Sequence, residues 1–334
     1  MTSGLRKKLG LAVFGTTVGL ALTMVVGEIA IRMSLMREFR QKVQQFNASA
    51  GFEYAITPDE AIGYRLKPDQ TIRPKPGIAY TINAQGFRGS PVVEKRDPKV
   101  PCILFIGDSF TFGYGVNDDE TFPAISERLL RDSGTEAECL NLGVTGYNLA
   151  NYRAALAENL KLFDPDAVVV TVYLNDAEPT NRGVVPRDPR ESFRDVWFWS
   201  RHELASQWDW PHRKRIDEDP LISFSEGHPK RRDARRAFRE IVELCEEAGV
   251  TVLFVSAPLV WRSDFSGDYK YAPVQRAFRD WAGELGAPLV DVRDAVLKSG
   301  RPAEGLVIPN DGHFNLQGNE FVAGLIVAEF GGNL

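Results

Sequence analysis

The sequence predicts an α/β fold with three layers (α/β/α), in which a parallel sheet lies between two layers of helices. Strand-like and helix-like segments alternate regularly from Val100 onward, an order typical of parallel sheets with right-handed crossovers. The third strand-like segment, residues 167–174, is an almost unbroken run of β-branched and apolar residues, as in a parallel strand covered on both faces. A chain of 334 residues can form one large core with additions.

The predicted core strands are short apolar segments that end at turn residues. They are residues 102–106, 137–142, 167–174, 251–256 and 288–292. The helices between them carry apolar residues three and four positions apart. Two of these helices are expected to end at Asp164-Pro165 and at Gly249. The last helix is predicted to span residues 315–330, with Asn315 as its N-terminal cap.

The N-terminus contains a second strong pattern, a run of apolar and small residues from 9 to 26 that follows Arg6, Lys7 and Lys8. This run is close to the ~20 residues that span a bilayer and exceeds the ~7–15 apolar residues of a signal peptide. It therefore predicts an uncleaved transmembrane helix within residues 1–34. A short basic tail before it favours an N-terminus inside the cell, so we expect a single-pass membrane protein with its main domain in the periplasm or outside the cell.

Residues 35–99 are predicted to connect this anchor to the core. The stretch 36–47 is polar and predicts a helical stalk, whereas 52–91 has many proline and glycine turns between short extended pieces, which indicates a small β-rich prelude. Within the prelude, residues 83–89 read Asn-Ala-Gln-Gly-Phe-Arg-Gly. Two interpretations of this segment remain open. It is either a glycine turn with Phe87 packed on the core or a segment with a functional role.

The remaining residues, 100–334, form the predicted main domain, which a long insertion at residues 178–230 interrupts. The connection between a strand and the next helix usually has ~2–6 residues. The insertion holds four of the six tryptophans, Trp197, Trp199, Trp208 and Trp210. Exposed indole rings are unfavourable in water, so Trp199 and Trp208 are candidate substrate-binding residues. A surface subdomain with its own aromatic cluster is the alternative.

Composition excludes some classes of partner. A net charge of −5 and a pI near 5.6 argue against nucleic acid as the main partner. The three cysteines, Cys102, Cys139 and Cys245, lack metal-ligand spacing. They are expected to be buried thiols, with a bridge between Cys102 and Cys139 as the alternative. Neither a metal nor another cofactor is predicted.

The candidate chemistry starts at Gly107-Asp108-Ser109, directly after the first core strand. Ligands of open α/β sheets bind at the carboxyl ends of the strands, so Ser109 is a candidate nucleophile that needs a base. His313 is the best candidate base, because the other three histidines lie among the charged and proline residues of the insertion. Asp311 is expected to orient His313.

The chain contains, in this order, Ser109, Gly143, Asn175 and His313. This set resembles the hallmark residues of the SGNH/GDSL hydrolases. The resemblance implies a flavodoxin-like sheet and a Ser-His-Asp triad. It also implies an oxyanion hole made of the backbone amides of Ser109 and Gly143 and the side-chain amide of Asn175. Residues 83–89 resemble a segment that precedes the Gly-Asp-Ser strand in membrane-anchored members. The family's more familiar spacing is Asp-x-x-His, which would select Asn310 instead of Asp311.

These observations predict a membrane-anchored serine esterase or deacylase that acts on an O-acyl ester outside the cytoplasm. The predicted partners are an acylated carbohydrate, cell-wall or lipid ester as substrate, and the membrane through the N-terminal helix. One alternative is an O-acyltransferase that uses the same site. The other is a non-catalytic tethered binding or assembly protein, although all four hallmark residues are present.

Overall fold

The computed structural model describes residues 56–59, 62–90, 97, 99–178, 220–259, 265 and 267–330, as well as residue 4 and helical residues 14–20 and 22–27. The predicted stalk at 36–47 lies outside the described residues. So do residues 179–219, which hold Trp199, Trp208 and the other two tryptophans of the insertion.

The prelude consists of two antiparallel hairpins. Strand β1 (Ile56–Asp59) pairs with β2 (Gly63–Leu66), and β3 (Gln70–Lys75) pairs with β4 (Ile78–Ile82). The Tyr64 hydroxyl donates to the Thr145 carbonyl at 2.6 Å. After β4 the chain turns and forms isolated bridges from Arg88 to Ile82 and to Asn141 of the core. The prelude is thereby joined to the edge of the main sheet.

The main sheet has five parallel strands. They are β5 (Cys102–Ile106), β6 (Glu138–Asn141), β7 (Ala167–Val172), β8 (Thr251–Ser256) and β9 (Leu289–Asp291). Their spatial order is β6-β5-β7-β8-β9, which is the flavodoxin-like order once the core strands are counted from β5. Every residue of β5 and β7 is buried, because helices cover both faces of the sheet. This confirms the predicted three-layer fold.

The described part of the chain from residue 56 onward contains eight α-helices. They are α1 (Ser109–Phe112), α2 (Phe122–Asp132), α3 (Leu149–Phe163), α4 (Pro220–Ser223), α5 (Pro229–Ala248), α6 (Ala272–Glu284), α7 (Val292–Ser299) and α8 (Leu316–Phe330). One apolar cluster packs α3, α5, α6 and the prelude on one face of the sheet. A second cluster packs α2, α7 and α8 on the other face.

Helix ends follow the signals in the sequence. Asp164 and Gly249 end α3 and α5 in the left-handed conformation, with φ of 44° and 70°. The Asn315 side chain accepts the Gly318 amide at 3.0 Å in the first turn of α8. The three cysteines are free thiols, with Cys102 and Cys245 buried and Cys139 partly buried, so the alternative of a Cys102–Cys139 bridge is not realised.

The predicted membrane anchor is wrong. Of the apolar run at the N-terminus, the structure describes helical residues 14–20 and 22–27. A crossing needs ~20 residues in one apolar helix, and among the described residues no helix has both the length and the apolar character for this. This finding contradicts the predicted transmembrane helix, the single-pass topology and the periplasmic or extracellular location.

Candidate active site

Ser109 is the first residue of α1, immediately after the Gly107-Asp108 turn that leaves β5. The Asp108 carboxylate caps this helix by accepting the Phe110 amide at 2.9 Å. Gly107 cannot be replaced without movement, because a Cβ there would lie 2.1 Å from Thr111 Oγ1. The sharp turn therefore brings the Ser109 side chain to the carboxyl edge of the sheet.

His313 and Asp311 lie on a compact loop before α8. The Ile308 amide donates to the His313 carbonyl at 2.8 Å, and the Asp311 amide donates to the Ile308 carbonyl at 3.1 Å. Asn310 and Gly312 both have positive φ, 63° and 92°, which tightens the loop. This curvature allows an aspartate only two residues before the histidine to face its ring.

The three side chains form a continuous hydrogen-bonded row. His313 Nε2 lies 2.7 Å from Ser109 Oγ, and His313 Nδ1 makes a short hydrogen bond with the Asp311 carboxylate. The His313 side chain is 24 % exposed, so small molecules can approach it. A serine, an imidazole and a carboxylate in this order can move a proton from the hydroxyl to the ring and stabilise the resulting imidazolium.

Two aromatic rings enclose the His313 ring. The centroid of Tyr114 lies 4.6 Å from that of His313, and the centroid of Phe110 lies 5.0 Å from it. Phe110 belongs to α1, and Tyr114 to the loop directly after it. The segment that carries Ser109 thus also fixes the plane of its partner imidazole. Sequence reasoning missed both rings, because an aromatic residue near a turn gives no signal of this contact.

The two aspartates close to Ser109 and His313 have pKa values that are shifted in opposite directions. Partial burial raises the pKa of Asp311, but the hydrogen bond and charge of His313 outweigh it, and the pKa of Asp311 lies below its ordinary value. Burial raises the pKa of Asp108 to about 6. Asp311 is therefore the group suited to hold a full negative charge beside the imidazole.

Asp176 supports the turn that presents Asn175 at the end of β7. Its carboxylate accepts the Tyr152 hydroxyl at 2.9 Å and the Tyr173 amide at 2.8 Å. Burial, and then the nearby Asp108, raise the pKa of Asp176 well above its ordinary value. The Asn175 side-chain oxygen is buried and accepts no hydrogen bond from the described residues.

Gly143 follows β6 and packs against the backbone of α1. A Cβ at this position would lie 2.2 Å from the Phe112 nitrogen, so the close approach requires glycine. The Gly143 amide donates to Asn141 Oδ1 at 3.0 Å. An oxyanion-binding role for this amide therefore requires that the bond to Asn141 be shared or exchanged for one to the substrate.

The remaining predictions concern metal ligands, the tryptophans of the insertion and the segment 83–89. Within the described ranges no cluster of three or more His, Cys, Asp or Glu side chains could hold a metal ion. Trp199 and Trp208 are outside those ranges. Arg88, in the segment that the sequence singled out at 83–89, is buried beside α1. The only signal in the sequence for this buried contact is the position of Arg88 in a glycine-rich turn.

Comparison with known proteins identifies one matching family. Residues 105–321 match the sequence profile of the GDSL-like lipase/acylhydrolase family, which covers the strand before Ser109 and extends beyond His313. No curated protein has a significantly matching sequence.

Several solved structures resemble the chain distantly. The crystal structure of TesA has 15% identity and a TM-score of 0.46, and the match covers 70% of this chain and 99% of TesA. The lipase/acylhydrolase from Enterococcus faecalis has 17% identity and a TM-score of 0.45, with 70% and 97% covered. A catalytic mutant of an acetylxylan esterase from Geobacillus stearothermophilus has 17% identity and a TM-score of 0.45, with 72% and 97% covered.

Proposed function

Because the chain belongs to the GDSL-like lipase/acylhydrolase family and is a serine hydrolase acting on esters, we propose that Ser109 is its nucleophile, His313 its general base and Asp311 the group that orients His313. The observation that carries this proposal is the 2.7 Å distance between Ser109 Oγ and His313 Nε2. A base within this distance can remove the hydroxyl proton as the oxygen attacks.

The reaction proceeds in two acyl-transfer steps. Ser109 Oγ bonds to the ester carbonyl carbon while its proton passes to His313 Nε2, and the carbonyl oxygen becomes an oxyanion. The carbon–oxygen bond to the alcohol then breaks, and His313 returns the proton to the leaving alcohol. In the second step water attacks the acyl-serine in the same way and releases the acid. Asp311 keeps the proton on Nδ1, so that Nε2 is the basic nitrogen.

Oxyanion stabilisation is assigned to the amides of Ser109 and Gly143 and to the Asn175 side chain. In other serine hydrolases a donor of this kind lowers the activation free energy by on the order of 3 kcal/mol. The packing of Gly143 on α1 and the support of the Asn175 turn by Asp176 favour this assignment, since both keep the groups close to the strand ends that flank Ser109.

For the substrate we propose an O-acyl ester of a carbohydrate. The support is in the sequence of the insertion, where charged residues such as Asp195, Arg201 and Asp209 alternate with the tryptophans. Indole rings can stack on sugar faces while charged side chains bind sugar hydroxyls.

The test is ester turnover by the full-length chain on an aryl acetate, longer aryl esters and an O-acetylated oligosaccharide. Wild-type protein should release acid from the short esters, whereas Ser109→Ala and His313→Ala should lose at least about 10³-fold in kcat with unchanged melting temperature. Wild-type turnover in the Ser109→Ala variant would refute the proposal. Product analysis with added sugar alcohols separates transfer to a hydroxyl from hydrolysis.

A further inference from the structure

The segment after β4 inserts one arginine into the core beside α1. Arg88 is only 3% exposed. Its guanidinium lies against two aromatic rings that also contact each other, 4.3 Å from the centroid of Tyr80 and 4.6 Å from that of Phe112. A buried charge is costly unless polar groups surround it, and the identity of those groups shows what Arg88 holds in place.

Within the described residues, four hydrogen bonds involve this guanidinium. Nη1 donates to the carbonyls of Phe112 at 2.5 Å and Gly113 at 2.6 Å. Nη2 donates to the carbonyl of Val116 at 2.6 Å, and Nε donates to Asp118 at 2.9 Å. The first two carbonyls lie at the C-terminal end of α1, the helix that begins with Ser109. Arg88 therefore fixes the end of this helix and the loop 113–116 to the prelude.

This loop also contacts the base. It carries Tyr114, whose ring lies against that of His313. A second prelude residue supports the same loop, because the Tyr80 hydroxyl accepts the Gly115 amide at 2.7 Å. Ser109 and Tyr114 are therefore the two ends of one short segment. The prelude contacts this segment and the loop after it through Arg88 and Tyr80.

The backbone of Arg88 reaches a further site group. Its amide donates to the Asn141 carbonyl at 3.2 Å, and the Asn141 side chain accepts the Gly143 amide at 3.0 Å. One prelude residue is thus joined both to the helix of the nucleophile and to the strand end that presents Gly143.

We propose that Arg88 is a positioning residue for ester hydrolysis, which keeps Ser109 Oγ and His313 Nε2 in hydrogen-bonding geometry by holding α1 and the loop 113–116. The inference rests on the proposed function. The planar fork of a guanidinium can donate in several directions at once, whereas a lysine ammonium is a compact point charge on a flexible stem. Arg88→Lys should therefore replace Arg88 only in part.

The experiment measures kcat and KM of full-length Arg88→Ala and Arg88→Lys on an aryl acetate, together with melting temperatures. A misplacement of the reacting groups should lower kcat of Arg88→Ala about 10²-fold with KM within a few-fold of wild type, because no substrate contact is removed. Guanidinium ion at a non-denaturing concentration should enter the space left by the side chain and restore much of kcat. Urea at the same concentration should not.

Arg65→Ala is the matched control. Arg65 is also a prelude arginine, ion-paired with Asp59 at 2.6 Å and with Glu158, and these partners belong to β1 and α3 and not to the 112–118 segment. This variant should keep wild-type kcat and should not respond to guanidinium. Arg65 therefore separates loss of an arginine in the prelude from loss of the contact to α1.

The outcomes separate the two claims. If wild-type protein turns over no ester, the proposed function fails. If wild-type protein is active and folded Arg88→Ala or Arg88→Lys has wild-type kcat, the inference on Arg88 fails alone. A loss of activity that only follows the unfolded fraction, or failure of both variants to fold, would assign Arg88 to stability and would also overturn it. Reduced kcat in a folded variant, with rescue by guanidinium in Arg88→Ala, supports it.

Discussion

Asp108 and Asp311 lie close to the same serine and histidine, yet their environments differ. Asp311 is partly exposed and bonded to His313, so its pKa lies below the ordinary value. Asp108 is buried, and desolvation raises its pKa to about 6. The first is thereby suited to carry charge beside the imidazole, and the second to cap α1. Substitution of each should affect a different measurable property.

Asp311→Asn should reduce kcat by up to roughly 10⁴-fold, because an amide at this position favours the wrong tautomer of the imidazole. The matched control is Asn310→Gly, since residue 310 has φ of 63° and glycine adopts this conformation without strain. The control should retain nearly full kcat in the same aryl ester assay. A larger loss in Asn310→Gly than in Asp311→Asn would show that the orienting residue has been misassigned.

Asp108→Asn should change how stability depends on pH. The folded chain retains a proton on Asp108 up to about pH 6, whereas the unfolded chain releases it near the ordinary value of 3.8. The contribution of Asp108 to the free energy of unfolding should therefore be largest at the lower pH and be lost as pH rises through this window, by about 3 kcal/mol for a shift of this size.

The variant lacks this titration, so its stability should fall less between pH 4 and 6, as measured by denaturant unfolding at several pH values. Exposed Asp132 supplies the control substitution Asp132→Asn, which should reproduce the wild-type profile. Parallel profiles for wild type and Asp108→Asn would contradict the assigned cause. Asp108→Asn also removes a charge that helps to raise the pKa of Asp176, so the change in profile reports both carboxyl groups, and both effects reduce the fall in stability.

At the scale of secondary structure, the site depends on the close packing of a strand end against a short helix. Gly143 touches the backbone of Thr111 and Phe112 in α1. Gly143→Ala should push α1 away and lower kcat by about 10²-fold, with a lower melting temperature. Gly283 in α6 has open space around its Cα, and Gly283→Ala should leave kcat unchanged. Equal kcat in the two variants would show that this packing is not required.

The sequence predicts most of the elements because their signals are local. The apolar segments at 102–106 and 251–256 coincide with β5 and β8. Asp164 and Gly249 end their helices at the predicted positions. The predicted strands 137–142 and 288–292 are each one residue too long at both ends, since apolar character continues past the last paired residue.

Contacts between distant segments could not be predicted in the same way. Arg88 looks like a solvated arginine in a turn, and only the fold reveals that it is buried against Phe112. The bond from Gly143 to Asn141 likewise depends on a side-chain rotamer. The membrane anchor is predicted from the apolar run at residues 9–26 and the basic residues before it, but among the described residues no helix has the length and apolar character that a crossing needs.

For the whole molecule, the candidate site combines three separate parts of the chain. The core sheet supplies Ser109, the loop before α8 supplies His313 and Asp311, and the prelude supplies Arg88. The insertion at 178–230 is predicted from the sequence to add a fourth part. Loss of any one part should therefore affect catalysis in a distinguishable manner.

Replacement of both Trp199 and Trp208 by alanine should impair turnover of an O-acetylated oligosaccharide while turnover of a small aryl acetate persists, because only the larger substrate can stack on the indole rings. The measurement is the ratio of the two kcat/KM values. Phe198→Ala, in the same aromatic segment, is the control. An equal loss on both substrates with a lower melting temperature would assign the tryptophans to the packing of the insertion.

The most direct test of the central claim is covalent labelling of the full-length chain with a fluorophosphonate, followed by intact mass measurement and peptide mapping. A serine activated by a neighbouring imidazole should react with the phosphorus centre as it would with an ester carbonyl. We predict one phosphonyl group per chain, located on Ser109, with labelling much slower in His313→Ala and absent from denatured protein. Labelling at another residue, or an equal rate at Ser109 without His313, would contradict the account.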